Sequence, residues 1–528
     1  MYLLFPGRHQ LLTNFQFNYL YKLIEGDLKN ELDINGNPSQ INERVEAIIF
    51  AVTSANHSNT RRNPLSFYLR VLQIENFANN FPVPSYIFGI DEVGILKNFA
   101  SYIIKRIGHE SDGQFDLNPE NTIVICSTPV MEMYEELGFK ILPAELIDRH
   151  TSTFATELPW DLVERIANLK DDWFKDSLLL EKLHPSSFKI WKNYKLGKKV
   201  QMLFRDKIIG DDGDITTTRD YNSYVRQMDE IAEIKFLETL PFIKPGRIGD
   251  IGCAVGSWIK CACENENFNE SDFYGIEVAR HLFEICQQRK TNVEFINPFV
   301  FFAQKNAVTG LVFDINSMQT IHTSSLTHEI ESYGSHDDLI QFIKNRYDEL
   351  SIGGVWINRD VVGPDNPNEI IFMELENESG RNEDWDKEFD DREQLSIYLS
   401  GLSTYAKFLR FVKDFRKNEN EIFNYEYINI DKLIIKISIR NAMEFAMKKD
   451  YTDNWKSEMH EKFCFWSYQN WCDEMEKTGF KISPASHAFN NKWIIENRLK
   501  GKVSFYDLDM KPIEFPVTHM ILIGERRI

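Results

Sequence analysis

The stretch RIGDIGCAVGSW, from Arg247 to Trp258, decides the fold of the second half of the chain. An apolar segment leads through an aspartate into a glycine-containing turn, as where a strand passes into a helix. The glycines at 249, 252 and 256 do not have the G-x-G-x-x-G spacing of a dinucleotide-binding loop. Because glycine lets backbone N–H groups approach a ligand closely, the turn either cradles a ligand or is a ligand-free strand-to-helix connection.

An acidic residue further along favours the ligand. The next predicted strand ends in FYGIE, so Glu277 lies at its carboxyl end. The carboxyl ends of neighbouring parallel strands meet at one edge of a sheet. A carboxylate placed there can accept hydrogen bonds from both hydroxyls of a ribose. We therefore expect this edge to bind a cofactor that contains a ribose.

Strand-like and helix-like segments alternate in both halves of the chain. The predicted strands are YLLF, EAIIFAVTSA, PSYIFGI, TIVICST and GFKILPA in the first half, and GRIGDIG, FYGIEVA, VEFI, SMQTIHTSSL, GGVWINRDVV and HMILIGERR in the second. This alternation predicts the α/β class, with two doubly wound parallel-sheet (Rossmann-like) domains. We place the domains at 1–155 and 241–528. A helical connector at 156–240, with a polar break at GDDGDITTTRD, joins them, and a charged, mostly helical insert spans about 376–450.

Composition restricts the partners. The chain has 528 residues, of which 43% are hydrophobic, and a formal net charge of −20. Such acidity disfavours nucleic acid, which gains affinity from Lys and Arg, and favours a small-molecule substrate. No segment has the roughly 18 consecutive apolar residues of a membrane helix, so we expect a cytoplasmic protein. Seven cysteines without a C-x-x-C pair predict neither a disulfide framework nor a zinc site, and we expect no metal.

Five successive motifs of the second half carry a resemblance: IGDIGCAVGSW, FYGIEVA, FFAQKNAVTG, TIHTSSLTHEIESYG and GGVWINRDVVGP. Together with the final strand around THMILIGER, they resemble the motifs of class I S-adenosylmethionine-dependent methyltransferases. The resemblance implies that S-adenosylmethionine is the cofactor. It also implies that Glu277 holds the ribose, that Asn306 lies beside the adenine where the family often has an aspartate, and that the methionine end is lined by Asp250 and the turn residues Gly252, Cys253, Ala254 and Gly256. Ala254 stands where a middle glycine is common.

Methyl transfer requires an aligned acceptor, exclusion of water and, for a protonated acceptor, a base. The candidates follow the predicted fourth and fifth strands, whose ends face the cofactor. We predict His328, Glu329 and Asp360 as catalytic residues, with Tyr333 and Arg359 as substrate contacts. His328 is the favoured base, because its ordinary pKa is closest to neutrality. The alternatives are a helix-start histidine and an aspartate that holds its own loop.

The later segment KDYTDNWKSEMHEKFCFWS combines aromatic rings with carboxylates. Trp455 and Glu458 could contact a flat or cationic substrate through stacking and charge. The same segment also contains His460, Glu461, Phe465 and Trp466. The alternative is an aromatic packing seam with its carboxylates on a solvated helix face.

The first half has a second resemblance. FPGRHQLLTNFQ, followed by VTSANHSNTRRNPLSFYLR, resembles nucleotidyltransferases of the H-x-G-H superfamily, most closely the nicotinamide mononucleotide adenylyltransferases. The similarity extends to about DWFKDSLLLEKLHP. The resemblance implies a nucleotide-side wall with Arg70 on the next helix, formed by Gly7, Arg8, Ser54, Ser58, Thr60 and Asn63.

The catalytic motifs of that family are absent. The two histidines and the intervening glycine are replaced by Thr13, Phe15 and Gln16. Ser152 and Thr153 fit the later phosphate-binding motif, but its arginine falls on Thr156. Adenylyl transfer depends on donors that stabilise phosphate charge, so the domain is expected to be inactive. We predict a methyltransferase acting on a small, nucleotide-like molecule; the alternatives are a bifunctional nucleotidyl- and methyltransferase and a non-enzymatic nucleotide sensor.

Overall fold

A computed structural model of the chain describes residues 1–26, 28–93, 98–169, 172–206, 210, 221–419, 421–429 and 432–527. The chain forms two compact units, Met1–Asp206 and Lys207–Ile528. Apart from Gly210, the predicted polar break GDDGDITTTRD lies outside the described residues. Among the described helices, none has both the length and the apolar character needed to cross a membrane.

Unit 1 is built on a parallel sheet. Its strands are β1 (Tyr2–Gly7), β2 (Ala47–Thr53), β3 (Ser85–Ile90), β4 (Thr122–Ile125), β5 (Lys140–Leu142), β6 (Leu146–Asp148) and β7 (Thr153–Phe154). Its helices are α1 (Asn14–Glu25), α2 (Phe67–Ala78), α3 (Phe99–Glu110), α4 (Met131–Glu136), α5 (Pro159–Asn168), α6 (Ser177–Lys182), α7 (Pro185–Asn193) and α8 (Leu196–Arg205), with short turns at Leu28–Asn30 and Trp173–Lys175. The sheet order is β3-β2-β1-β4-β5, and every pair is parallel. Apolar clusters cover both faces of this sheet, so its strands are buried on both sides, as is usual for parallel sheets.

Unit 2 contains a larger sheet and a second, antiparallel one. Its strands are β8 (Arg247–Ile251), β9 (Asp272–Glu277), β10 (Val300–Gln304), β11 (Met318–Ser324), β12 (Leu350–Val361), β13 (Ile370–Leu375), β14 (Tyr425–Asn429), β15 (Ile434–Ser438), β16 (Phe480–Ile482), β17 (His487–Phe489), β18 (Val503–Tyr506) and β19 (His519–Arg526). Its helices are α9 (Tyr221–Thr239), α10 (Ser257–Cys263), α11 (Arg280–Thr291), α12 (Thr327–Tyr333), α13 (His336–Glu349), α14 (Arg392–Ser400), α15 (Thr404–Asp414), α16 (Ile439–Lys448), α17 (Trp455–Glu458), α18 (Tyr468–Thr478) and α19 (Lys492–Ile494). Short helical turns lie at Leu240–Phe242, Glu266–Phe268, Lys417–Glu419 and Ile495–Leu499.

The larger sheet has the order β10-β9-β8-β11-β12-β19-β16, and β17 also pairs with β19. Strands β8 to β12 are parallel, whereas β19 runs antiparallel to β12. The strand order reverses between β8 and β11, and ligands of doubly wound sheets bind at such a switch point. The predicted α/β class with Rossmann-like parallel sheets is confirmed.

Two predicted elements differ in the structure. The segment VEFI is not a strand, because Val293 has a left-handed backbone with φ +59°. The strand at this place in the sheet is β10, which begins only at Val300. Pro298 precedes it and has no N–H with which to join the hydrogen-bond ladder. The insert predicted as mostly helical contains α14, α15 and α16, but also β14 and β15. These two strands join β13 and β18 in the antiparallel sheet.

The predicted helical connector is divided between the units. Helices α5 to α8 lie within the first unit, and α9 lies within the second. In α5, α7 and α8, apolar side chains pack together with two residues from the start of the chain and from α2, Leu11 and Leu69. These helices therefore share a hydrophobic core with the first residues of unit 1 and with α2.

Candidate functional site

The turn after β8 has an unusual backbone. Gly252, Ala254 and Gly256 have φ values of +71°, +48° and +77°. The N–H groups of Gly252 and Cys253 donate to the Ile276 carbonyl at 2.8 and 3.1 Å, which fixes the turn to β9. A Cβ at position 252 would lie 3.1 Å from the Leu326 side chain. Left-handed backbone costs about 1–2 kcal/mol for a residue other than glycine, so Ala254 holds a strained conformation.

Glu277 fastens this turn from the neighbouring strand. One carboxylate oxygen accepts from the N–H groups of Val278 and Ala279, both at 2.8 Å, and the other accepts from the Ala254 N–H at 2.9 Å. Burial raises the pKa of Glu277 to about 7, although these backbone hydrogen bonds act in the opposite direction. The carboxylate thus holds the strained turn in place. Its role toward a ribose stays a prediction.

Asp250 is held by a histidine that sequence patterns did not single out. Its Oδ1 lies 2.7 Å from His322 Nδ1, on the neighbouring strand β11. The His322 ring stacks on Trp258, with centroids 4.1 Å apart and planes 6° from parallel. Both members of the Asp250–His322 pair are buried. The arrangement fixes the end of β8 at the switch point.

A cavity opens at the carboxyl ends of β8, β9 and β10, beside α12. It encloses about 540 Å³, including the part that is open to solvent, and its lining is mainly apolar. The lining residues are Ile251, Gly252, Ile276, Val278, Lys305, Asn306, Ala307, Val308, Leu326, Glu329, Ile330, Tyr333 and Phe342. Of the predicted cofactor residues, Gly252 and Asn306 therefore line the cavity. Asp250, Cys253, Ala254, Gly256 and Glu277 build the turn and strand ends that border it.

His328 lies close to Asp360. His328 follows β11 at the start of α12, as predicted, whereas Asp360 lies within β12 rather than after it. His328 Nδ1 is 2.7 Å from Asp360 Oδ1. The other Asp360 oxygen accepts from the Thr327 N–H at 2.7 Å and the Thr327 hydroxyl at 2.6 Å, so it holds the start of α12. Burial favours the neutral imidazole, but Asp360 and Glu461 outweigh it and raise the pKa of His328 well above its ordinary value. For Asp360, burial raises the pKa, but His328 and the hydrogen bonds from Thr327 and Val361 outweigh burial and lower the pKa below its ordinary value.

This geometry does not favour His328 as the base. A protonated imidazole between two carboxylates has no lone pair with which to accept a proton. His328 is also absent from the cavity lining, whereas Glu329 and Tyr333 line it.

Glu461 is the third member of this group. Its Oε2 lies 3.4 Å from His328 Nε2, and its Oε1 accepts from the Tyr333 hydroxyl at 3.2 Å. Ligand atoms of His328, Glu329 and Glu461 all lie within 4.8 Å of one another. Sequence patterns placed Glu461 near the site only as part of the aromatic segment. Its pairing with His328 spans more than a hundred residues and leaves no local signal.

The remaining substrate candidates lie away from the cavity lining. Arg359 is buried, and its Nε donates to Glu238 of α9 at 2.5 Å. Trp455 is 1% exposed and packs in the apolar core of the insert, with its Nε1 donating to Asp414 at 2.8 Å. This matches the packing-seam alternative. Glu458 ends α17 and is half-buried.

Sequence reasoning missed Lys235 on α9. Its Nζ lies 3.3 Å from Ser325 Oγ, at the end of β11. Burial, with a further contribution from Arg359, lowers the pKa of Lys235 to about 8. The residue lies in the stretch interpreted as a helical connector, where nothing in the local pattern distinguishes it from a surface lysine.

In unit 1, the predicted nucleotide-side residues lie on the segments that follow β1 and β2, and hydrogen bonds join the two segments. Gly7 ends β1, and the Arg8 guanidinium donates to the Arg62 carbonyl at 3.2 Å. Ser54 donates to Glu92 at 2.8 Å, and the Thr60 hydroxyl accepts from the Asn63 N–H at 2.9 Å. Ser58 lies between them, half-buried.

Buried Arg70 fastens this loop from α2. Its guanidinium donates to the carbonyls of Arg8, Thr53 and Ser54 at 2.8 to 3.1 Å. The Arg70 side chain thereby satisfies backbone carbonyls at the ends of β1 and β2.

Thr13 and Gln16, at two positions where the predicted resemblance would require histidines, form a capping box on α1. The Thr13 hydroxyl accepts from the Gln16 N–H at 3.1 Å, and the Gln16 side chain accepts from the Thr13 N–H at 3.2 Å. The Gln16 amide also donates to buried Glu145 at 2.9 Å. Thr156 donates to Glu157 at 3.0 Å. These side chains have structural partners.

Comparisons with known proteins give fold-level likenesses only. No family model matches the sequence, and no curated protein matches it. Among solved structures, the YcgJ protein of Bacillus subtilis is 12% identical, with 57% of this chain and 99% of that one covered and a TM-score of 0.30. A SAM-dependent methyltransferase of Thermotoga maritima is 15% identical, with 59% and 97% covered and a TM-score of 0.28. Such scores do not establish a family.

Proposed function

We propose that unit 2 is an S-adenosylmethionine-dependent methyltransferase that acts on a small, nucleotide-like molecule. The observation that carries this proposal is the cavity at the switch point of the larger sheet, bordered by the left-handed turn Gly252–Gly256. Clefts of doubly wound sheets bind ligands at this position. The motifs that resemble class I methyltransferases fall on the strand ends around the cavity.

The residues around the cavity fit the cofactor. Gly252 and Asn306 would contact it, since both line the cavity, and the apolar side chains of Ile276, Val278 and Val308 suit a flat base. The Asn306 Oδ1 accepts from the Val308 N–H at 2.9 Å, which orients the amide. When bound, S-adenosylmethionine supplies an electrophilic methyl group for in-line displacement.

The acceptor side of the cavity has two polar side chains, Glu329 and Tyr333. The Tyr333 hydroxyl also lies 2.7 Å from Ser457 Oγ, so the ring is fixed on the segment after the insert. These two side chains orient the acceptor, and the apolar lining excludes water from it. His328, the predicted base, does not line the cavity and instead pairs with Asp360, whose other oxygen holds the start of α12.

For unit 1, we propose a nucleotidyltransferase-like domain without catalytic activity. The capping box of Thr13 and Gln16 supports this, because both side chains are engaged in holding α1. The alternatives are a bifunctional enzyme and a nucleotide sensor. We further propose a cytoplasmic location, which follows from the chain's composition.

A cavity-filling variant tests the proposal. Ala307→Trp places an indole into the cavity, since Ala307 lines it and is buried. We expect Ala307→Trp to lose binding of S-adenosylhomocysteine by at least tenfold, whereas Ala485→Trp, at an exposed position, binds as the unmodified chain does. Equal binding by both variants, measured by calorimetry on folded protein, would exclude this cavity as the cofactor site.

A further inference from the structure

Three side chains whose types can ligate a metal lie close together beside the cavity, and of these only Glu329 lines it. His328 and Glu329 come from the first turn of α12, and Glu461 comes from the segment that follows the insert. Their ligand atoms lie within 4.8 Å of one another. His328 and Glu461 are buried, and Glu329 is half-buried. We propose that this group binds one divalent cation of the first transition row, such as Mn²⁺ or Zn²⁺.

The His328 ring is oriented as a metal ligand requires. Its Nδ1 bonds to Asp360 at 2.7 Å, which directs Nε2 toward Glu461. Histidine ligands of metals characteristically use their second nitrogen in this way, with a carboxylate that fixes the ring. Asp360 is itself fixed by the Thr327 N–H and hydroxyl. The imidazole is therefore held in one orientation before any ion arrives.

Glu461 is also prepositioned. Its Oε1 accepts from Tyr333 at 3.2 Å and from Ser457 at 3.4 Å, which leaves Oε2 facing His328 Nε2 at 3.4 Å. Two ligands that each lie about 2.1 Å from an ion at the tetrahedral angle are about 3.4 Å apart. A cation can therefore replace the proton that His328 and Glu461 share, with little rearrangement.

The insert explains how Glu461 reaches the site. Lys448, at the end of α16, donates to the Glu461 carbonyl, and Arg416 donates to the His460 carbonyl at 2.6 Å. Both cations belong to the segment between β13 and α17. The insert thus braces the loop that provides the third ligand.

The ligand set indicates the class of ion. One imidazole and two carboxylates suit Mn²⁺ to Zn²⁺ better than Ca²⁺, which prefers oxygen ligands alone. Glu329 lines the cavity, so an ion bound there has an open coordination position on the cavity side. If the proposed function holds, that position takes an oxygen of the methyl acceptor and increases its acidity.

The test measures bound metal directly. The full chain, freed of metal with a chelator, is dialysed against Zn²⁺ or Mn²⁺, and the metal per chain is determined by mass spectrometry. We expect one ion per chain, and an affinity at least tenfold weaker in Glu461→Gln and in Glu329→Gln. The control His336→Gln changes an exposed histidine that has one carboxylate partner, Glu331, at 3.7 Å, and it should bind normally.

The Glu329→Gln variant is included because Glu329 is the least buried of the three ligands, so this substitution is the least damaging to folding. No ion above the level of His328→Gln, or unchanged affinity in both folded glutamate variants, would overturn the proposal. Binding of S-adenosylhomocysteine is measured on the same samples. If the chain binds metal but not S-adenosylhomocysteine, the metal site is supported and the proposed function is overturned. If it binds S-adenosylhomocysteine but no metal, the metal site is overturned and the proposed function is supported.

Discussion

Replacing Gly252 with alanine should separate the effect of backbone strain from that of a changed cavity, which we propose to bind the cofactor. Gly252 has φ +71° and lines the cavity. Gly501 provides a matched control in the same unit: its φ is +76°, and an added Cβ there would meet nothing within 4 Å. Both substitutions force alanine into left-handed backbone, and each should lower the free energy of unfolding by about 1–2 kcal/mol.

Only the first substitution should affect binding. The new Cβ at position 252 lies 3.1 and 3.2 Å from the two Leu326 methyl carbons, so Leu326 must move by a few tenths of an ångström. Leu326 lines the same cavity, and its shift changes the shape that the cofactor meets. We expect affinity for S-adenosylhomocysteine to fall about tenfold, or about 1.4 kcal/mol, in Gly252→Ala.

Urea denaturation gives the stabilities, and calorimetric titration gives the affinities. Similar losses of stability with a loss of affinity only in Gly252→Ala would support the assignment of the turn. If both variants bind S-adenosylhomocysteine equally well, the turn does not border the binding site and the reasoning fails.

Two further predictions concern Glu277 and unit 1. The folded-state pKa of Glu277, about 7, exceeds its ordinary 4.5, so the folded chain binds more protons than the unfolded chain between these values. The contribution of Glu277 to stability is full below about pH 4.5 and is lost as pH rises through 7. Urea denaturation at pH 5 and 8 should therefore show a smaller loss of unfolding free energy in Glu277→Gln than in the unmodified chain. An equal loss in both proteins would refute this prediction. Unit 1 should release no pyrophosphate from ATP with any mononucleotide, because Thr13 and Gln16 offer no charge that stabilises phosphate. Robust turnover that is lost in a chain without residues 1–155 would contradict this prediction.

Most of the parallel strands were predictable from sequence, with β10 as the exception. Strand β2 consists of AIIFAVT, and β8 leads into the turn that contains Gly252 and Gly256. A buried parallel strand needs a continuous apolar run, and the tight turn after β8 needs residues that tolerate positive φ. These requirements are local, so a short window of sequence reveals them.

Strands β14 and β15 were not predicted, for a physical reason. Tyr425–Asn429 alternates apolar and polar residues next to a highly charged segment, and its pairing with β15 is antiparallel. The alternation is short, and the partners β13 and β18 lie far away along the chain. Tertiary pairing therefore decides the structure of this segment.

The candidate site shows the same division. Gly252 and Asn306 were assigned from the methyltransferase-like motifs, and they lie one residue after β8 and two residues after β10. The contacts of Glu461 with His328, and of Lys235 with Ser325, join segments that are distant in sequence. The charge of His328 likewise depends on distant residues, because Asp360 and Glu461 outweigh the effect of burial and raise the pKa of His328 well above its ordinary value.

The central claim is that the cavity beside Gly252 binds S-adenosylmethionine. Its most direct test is a calorimetric titration of the full chain with S-adenosylhomocysteine, with NAD, ATP and nicotinamide mononucleotide titrated in parallel. We expect one site per chain with micromolar affinity for S-adenosylhomocysteine, about −8 kcal/mol, and an affinity at least tenfold weaker in Ala307→Trp. Tight binding of NAD with no heat from S-adenosylhomocysteine would contradict it.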